Sequence, residues 1–293
     1  MRVENINNGK DHLRGMAFSA AGVFCISFDA LLVRLADTSD WNVAFWRGTG
    51  IFVSMLLVVL VRNRGRAGRV LHVFRGPPAI ASVLFGVNSI LFVMSVSHTS
   101  VANTVIILST GPFFAAVFSW FLLKELVPLR TWIAILAAFS GVVIIFSGSL
   151  ALNDLKGNIF ALMIAVIMGG NFTLLRGHPR AQRIPLVCAG GLVTAVISVF
   201  FAEPFSLCLA SYAALAVMGL VQMPAAQVLI ATGTRYIPSP EVTLFMLIES
   251  VLGPVWVWMA MGEVPPEAAF IGGFIIIPTV IIHSLLNLRR LGK

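Results

Sequence analysis

The sequence predicts an all-α integral membrane protein: ten transmembrane helices in two inverted five-helix repeats, with a central cavity between the repeats. Three observations carry that reading. Hydrophobic residues make up 58% of the chain and charged residues 11%, against roughly 45–50% and about 25% in a soluble domain, so too few polar side chains exist to cover a soluble surface. The apolar runs are roughly 18–23 residues long, enough to cross a ~30 Å hydrocarbon core as helices. Finally, residues 14–34 and 156–176 read as one helix written twice, RGMAFSAAGVFCISFDALLVR against KGNIFALMIAVIMGGNFTLLR.

The repeat holds without a gap. At a constant offset of 142, Arg14-Gly15 falls on Lys156-Gly157, Phe18 on Phe160, Asp29 on Asn171 and Arg34 on Arg176. At an offset of 138, His98 falls on Tyr236, Phe118 on Trp256, Trp120 on Trp258 and Glu125 on Glu263. The expected units are residues 1–150 and 151–293. Each holds five apolar segments, an odd number, so the second enters the membrane upside down.

In order, the segments are 16–35, 41–61, 77–97, 101–123, 130–149, 157–175, 184–203, 211–232, 240–261 and 267–287. The first is full length and counts into the repeat, so it is no cleaved signal peptide. The longest connection, 62–76, is arginine-rich and too short to fold alone.

The formal charge of +8 does not indicate nucleic acid, because its placement reports orientation. All but Arg34, Arg47 and Lys156 of the 20 Lys and Arg residues lie at the ends of the chain or in the even-numbered connections. That asymmetry places both termini in the cytoplasm. The matched loops agree with the inversion: Lys124–Arg130 is basic, whereas its counterpart Glu263–Glu267 is acidic. Cys25, Cys188 and Cys208 fall in apolar stretches and are expected to be small buried hydrophobes.

Ionisable groups inside apolar spans are costly unless paired or wet. Asp29 and Arg47 sit at depths of about 10 and 9 Å on consecutive segments, counted at ~1.5 Å per residue. They are expected either to form a structural ion pair pinning the first hairpin or to leave Arg47 for a substrate carboxylate. Arg34 lies at a span end and snorkels. Glu249 sits near the centre of the ninth segment, with no basic residue at comparable depth on another segment. Three roles stand for it: a neutral acid bonded to a carbonyl, a proton site, or an acceptor for a substrate ammonium. Trp256 lies seven residues on, on the same face, with Phe245 near that stripe.

Asn88, Asn103, Asn171, Gln222, Gln227 and Ser250 complete the candidates for substrate binding or coupling, and interhelical hydrogen bonding is the competing role for each. Segments 3, 4, 6, 8 and 9 thus have a polar side; 5 and 10 have almost none apart from His283 and look peripheral. Gly86, Gly111-Pro112, Gly169-Gly170 and Gly253-Pro254 are the expected flexible points. The five histidines are scattered with no two at metal-ligand spacing, so no metal or cofactor is expected. No nucleophile elbow, P-loop or dinucleotide fingerprint occurs. His98-Thr-Ser-Val-Ala-Asn103 brushes the HxxxxD pattern of membrane acyltransferases but lacks the acid; His98 reads as a loop residue. No enzyme is expected, and without GxxxG a functional monomer is.

The run Pro112-Phe-Phe-Ala-Ala-Val-Phe-Ser-Trp-Phe-Leu-Leu-Lys-Glu125, followed by Trp132 and Gly141, resembles the repeat motif of the drug/metabolite transporter superfamily, of the EamA type. Phe45-Trp46-Arg47 is similar to that family's arginine-bearing second span. The resemblance covers about residues 14–287 and departs at Glu249-Ser250, where members often have Glu-Pro; Pro254 is the alternative kink. It is nearest the YddG-type amino-acid exporters of bacterial inner membranes. By resemblance, segments 5 and 10 stand outside the cavity. The cargo is a small metabolite, foremost an amino acid, aromatic or neutral, exported by alternating access and possible proton coupling. A nucleobase, sugar or drug is the alternative cargo. An integral-membrane transferase would need an acid with His or Ser at one depth, which these segments do not offer.

Overall fold

The computed structural model describes residues 9–62, 76–99, 101–146, 155–262 and 267–291. Every regular element among them is helical: α1 Gly9–Ile26, α2 Asp29–Ala36, α3 Asp40–Arg62, α4 Pro77–His98, α5 Val101–Leu108, α6 Gly111–Leu123, α7 Leu129–Phe146, α8 Leu155–Gly177, α9 Arg183–Ser198, α10 Leu209–Val217, a π-helical turn Met218–Gln222, α11 Met223–Gly233, α12 Ser239–Met246, α13 Glu249–Met261 and α14 Glu267–Leu291. Eight spans are long and apolar enough to cross a membrane, several of them built from two of these helices in succession. Leu129–Ile144 and Arg183–Ser198 are apolar but shorter. Large side chains such as Leu57, Val61, Trp120, Phe121 and Phe274 point outwards and are exposed, which suits a lipid-facing surface.

Three expectations at the acidic end are corrected. The seventh segment stops at Ser198 rather than 203, because the following residues are tied to the start of α3. There the Glu203 amide donates to Asn42 Oδ1 at 2.8 Å, Trp46 Nε1 donates to the Pro204 carbonyl at 3.2 Å, and Phe201 stacks on Trp41 at 4.5 Å. Cys208, at the end of that loop, is exposed rather than buried, while Cys188 is buried. His98 is the last residue of α4 rather than a loop residue, its Nδ1 2.9 Å from the Met94 carbonyl.

The bundle is knit by pairs of helices. α3 packs on α9, α7 on α14, α1 on α11 and α4 on α8. The last two meet through glycines. A Cβ at Gly15 would lie 2.7 Å from the Tyr236 Cβ, and one at Gly157 would lie 2.6 Å from the Thr99 nitrogen. Backbone so close leaves no room for a side chain. Gly157→Val is therefore expected to lower the melting temperature of detergent-purified protein, at a cost of about 1–3 kcal/mol from overpacking; an unchanged melting curve would contradict the contact. Gly86 and Gly169 also make tight contacts, on Val193 and on the Phe114–Ala115 backbone. They are packing glycines rather than flexible points, and α8 runs unbroken through Gly169-Gly170.

Of the expected flexible points, only Gly111-Pro112 adjoins an interruption, opening α6 directly after a break. The Lys10–Ala36 span breaks at Ser27–Phe28, the Thr104–Leu123 span at Ser109–Thr110 and the Ser239–Met261 span at Leu247–Ile248, six residues before Pro254. In the Ser239–Met261 span, Leu247 and Ile248 bond to carbonyls three residues back, and the Ser250 hydroxyl takes the Leu247 carbonyl at 2.7 Å. A tightened turn with a hydroxyl on its freed carbonyl needs no proline.

The two ends of the bundle differ. At the end rich in basic residues, α6 packs against α12; among the described residues no comparable packing joins α5 to α13 at the other end. The basic end also corrects the view of α14 as merely peripheral. His12 and His283, far apart in sequence, converge there on Glu241, with Asn287 bonded to the same carboxylate. The acidic loop carrying Glu263 and the arginines of 63–75 lie outside the described residues.

Candidate functional site

The break in the first span creates the site. Where the helix stops at Ile26 its last carbonyls lose their partners. Gln222 on the π-helical turn supplies one, its Nε2 donating to the Cys25 carbonyl at 3.0 Å. Ser27 Oγ donates to the Phe24 carbonyl at 2.7 Å and accepts from Trp256 Nε1 at 2.8 Å. The Phe28 ring stacks on the Trp256 indole, centroids 4.6 Å apart. The interrupted Lys10–Ala36 span is thereby fastened to the Leu209–Gly233 and Ser239–Met261 spans.

Asp29 is the first residue of α2 and Glu249 the first of α13. Each carboxyl sits at a helix N-terminus, where unpaired amides and the dipole favour negative charge. Arg47 Nη2 donates to Asp29 Oδ2, and both side chains are buried. The guanidinium also lies 5.9 Å from the Phe92 ring centroid, a cation–π contact.

Glu249 is not isolated, as depth counting along straight helices implied. It lies deep in the bundle within electrostatic range of both Asp29 and Arg47. Residue counts misplaced it because two interruptions shift the half-helices that carry the acids. Although deep, Glu249 is only half-buried, as are Asn88, Ser250 and Trp256.

The remaining candidates separate. Gln222 caps α1 and Ser250 caps the Leu247 carbonyl, both structural bonds. Asn88 stands on α4 one turn before Phe92 and hence on the face that meets Arg47. Asn171 is buried in α8 and Gln227 half-buried in α11. The Asn103 side chain lies outside the described residues. Several buried polar atoms have no hydrogen-bond partner: Asp29 Oδ1, Arg47 Nε, Asn88 Oδ1, Asn171 Oδ1 and Gln222 Oε1. Asp29 and Arg47, paired with each other, thus each keep a polar atom for water or a ligand. Ser27, Phe28 and Phe92 were not legible as site residues, since an Ile-Ser-Phe-Asp break carries neither Gly nor Pro. No cluster of His, Cys, Asp or Glu among the described residues is arranged to hold a metal ion.

Residues 13–147 match the model of the EamA-like transporter family. A solved structure described only as "Crystal structure of protein" is similar at 17% identity, covering 94% of this chain and 98% of its own with a TM-score of 0.80. At that identity the likeness shows a shared fold. No curated protein matches the sequence.

Proposed function

We propose that the chain is an EamA-type member of the drug/metabolite transporter superfamily that exports small metabolites, foremost neutral and aromatic amino acids, by alternating access. The observation that carries this reading is the Asp29–Arg47–Glu249 cluster, set deep in an apolar bundle where the first and ninth spans break. Half-helix N-termini and unwound turns at the midplane are how such proteins hold charged groups of a cargo. Arg47 suits a carboxylate, and Glu249 an ammonium or a coupling proton.

In this proposal Leu129–Ile144 and Arg183–Ser198 also cross, giving ten spans. Residues 1–150 and 151–293 are then inverted repeats. The contacts support that symmetry: α1–α11 and α4–α8 exchange under it, as do Gly15 on Ile237 and Gly157 on Thr99, while α3–α9 and α7–α14 map onto themselves. So do the breaks at Ser109–Thr110 and Leu247–Ile248, which lie 138 residues apart, the offset of the sequence repeat. The symmetry is broken where α6 meets α12 without an equivalent contact between α5 and α13, as expected of a state closed on one side. With the basic end in the cytoplasm of a bacterial cell, that state is closed inwards.

Two expected results test these points. Radiolabelled amino acids should exchange across proteoliposomes containing the purified protein, with a pH gradient altering accumulation if protons are coupled; a panel that moves no faster than in empty vesicles would overturn the proposal. Cys208 should react in intact cells with a membrane-impermeant thiol reagent, because it is exposed in the loop before α10. Labelling only after permeabilisation would invert the topology.

A further inference from the structure

At the basic end lies a cavity of about 340 Å³ whose lining includes none of the residues of the central site. Its polar wall is drawn from six helices or their ends: His12 on α1, Ser119 and Glu125 at α6, Arg130 on α7, Arg176 on α8, Glu241 on α12 and Asn287 on α14. Some of these groups satisfy one another. Arg176 Nε donates to Glu125 Oε1 at 3.3 Å, and His12 Nε2 stands 3.3 Å from Glu241 Oε2. Asn287 Nδ2 donates to Glu241 Oε1, which His283 Nε2 approaches at 4.0 Å.

What remains unsatisfied has both signs. Glu125 Oε2, Glu241 Oε2, Arg130 Nε, Ser119 Oγ and Asn287 Oδ1 are buried without a hydrogen-bond partner. The Arg130 guanidinium enters no ion pair among the described residues. Ser119 is fully buried, and Glu241 and Asn287 are more than nine-tenths buried. Native proteins leave few such atoms, and here they share one cavity of a size at the lower end of small-molecule pockets.

We infer that this cavity is a second binding site, for a small zwitterion arriving from the aqueous phase at the basic end. A planar guanidinium with free donors matches a carboxylate, and free carboxylate oxygens match the donors of an ammonium. A simple anion would face Glu125 and Glu241, and a simple cation would face Arg130 and Arg176. A molecule carrying both charges answers both walls, with its carboxylate on Arg130 and its ammonium on the free Oε2 of Glu125 and on Glu241 Oε2, which His12 faces without a hydrogen bond. The inference rests on the transport reading in one respect: the basic end is the side from which cargo enters.

The test uses the full chain with Cys208→Ser and an environment-sensitive fluorophore on Leu126→Cys, an exposed residue on the cavity rim. L-alanine should give a saturable change, with propionate and ethylamine at least about tenfold weaker because each lacks one charge-assisted contact. Arg130→Gln should weaken L-alanine by about tenfold or more, and Arg130→Lys by less. An equal response to propionate, the lack of any saturable change, or an unaltered titration in a folded Arg130→Gln protein overturns the site. Should Arg130→Gln not fold, the comparison of the three ligands still decides. A protein that transports amino acids but gives no signal at position 126 overturns this inference alone. A signal without transport overturns the transport reading alone.

Discussion

Arg47→Gln is expected to be the most damaging single substitution in the bundle. Among the described residues Arg47 is the cation that acts on both Asp29 and Glu249, and its partner Asp29 is buried with it. Removing one member of a buried pair costs about 3–5 kcal/mol, because the group left behind loses both water and partner. Here two carboxyl groups are left facing each other without the guanidinium. Asp29→Asn should be milder, since Glu249 remains beside Arg47. The double variant Asp29→Asn/Arg47→Gln should recover part of the loss, because it removes both ends of the ion pair. The check is the yield and melting temperature of monodisperse protein for the three variants. A double variant no better than Arg47→Gln would show that the contact contributes nothing as a pair.

Glu249→Gln carries the largest expected effect on transport with little effect on folding. Gln has nearly the same volume and can keep a hydrogen bond, but it neither takes up a proton nor attracts an ammonium by charge. Transport should fall by about tenfold or more, the size of one charge-assisted contact. The mode that falls identifies the role. If the carboxyl carries the coupling proton, gradient-driven accumulation is lost while exchange of amino acids across the membrane survives. If it receives the ammonium, affinity weakens in both modes. Wild-type rates and affinity in well-folded Glu249→Gln would leave Glu249 a structural acid.

Much of the architecture is legible in the sequence because lipid imposes it. An apolar run long enough to span is visible in composition, and the eight full-length spans fall where the runs do. The Asp29–Arg47 contact is legible for a similar reason: charges at matched depth on consecutive spans have few other partners. Glu249 shows the limit. Its distance from Arg47 depends on breaks at Ser27–Phe28 and Leu247–Ile248; the second is capped locally by Ser250, but the first is held by Gln222, a side chain 197 residues from Cys25 in the chain. A break stabilised by a tertiary hydrogen bond leaves no local mark in the chain. The Glu241 cluster was hidden differently. His12, Glu241, His283 and Asn287 lie at span ends, where polar residues are ordinary, and only the packing of three distant helices gathers them. His283 and Asn287 at i and i+4 were the available hint, one polar face on the last helix.

The central proposal is that Glu249 and its neighbours border an aqueous cavity occupied by cargo and open, in this conformation, away from the basic end. Ser250 stands beside Glu249 and is half-buried. The most direct measurement is therefore the reaction of Ser250→Cys, with Cys25, Cys188 and Cys208 replaced by Ser, with a small impermeant cationic thiol reagent added from the acidic side. The reaction should proceed in membranes, and it should slow in proportion to the occupancy of a transported amino acid. A folded protein in which position 250 does not react, or reacts at a rate indifferent to every transported amino acid, would contradict the proposal.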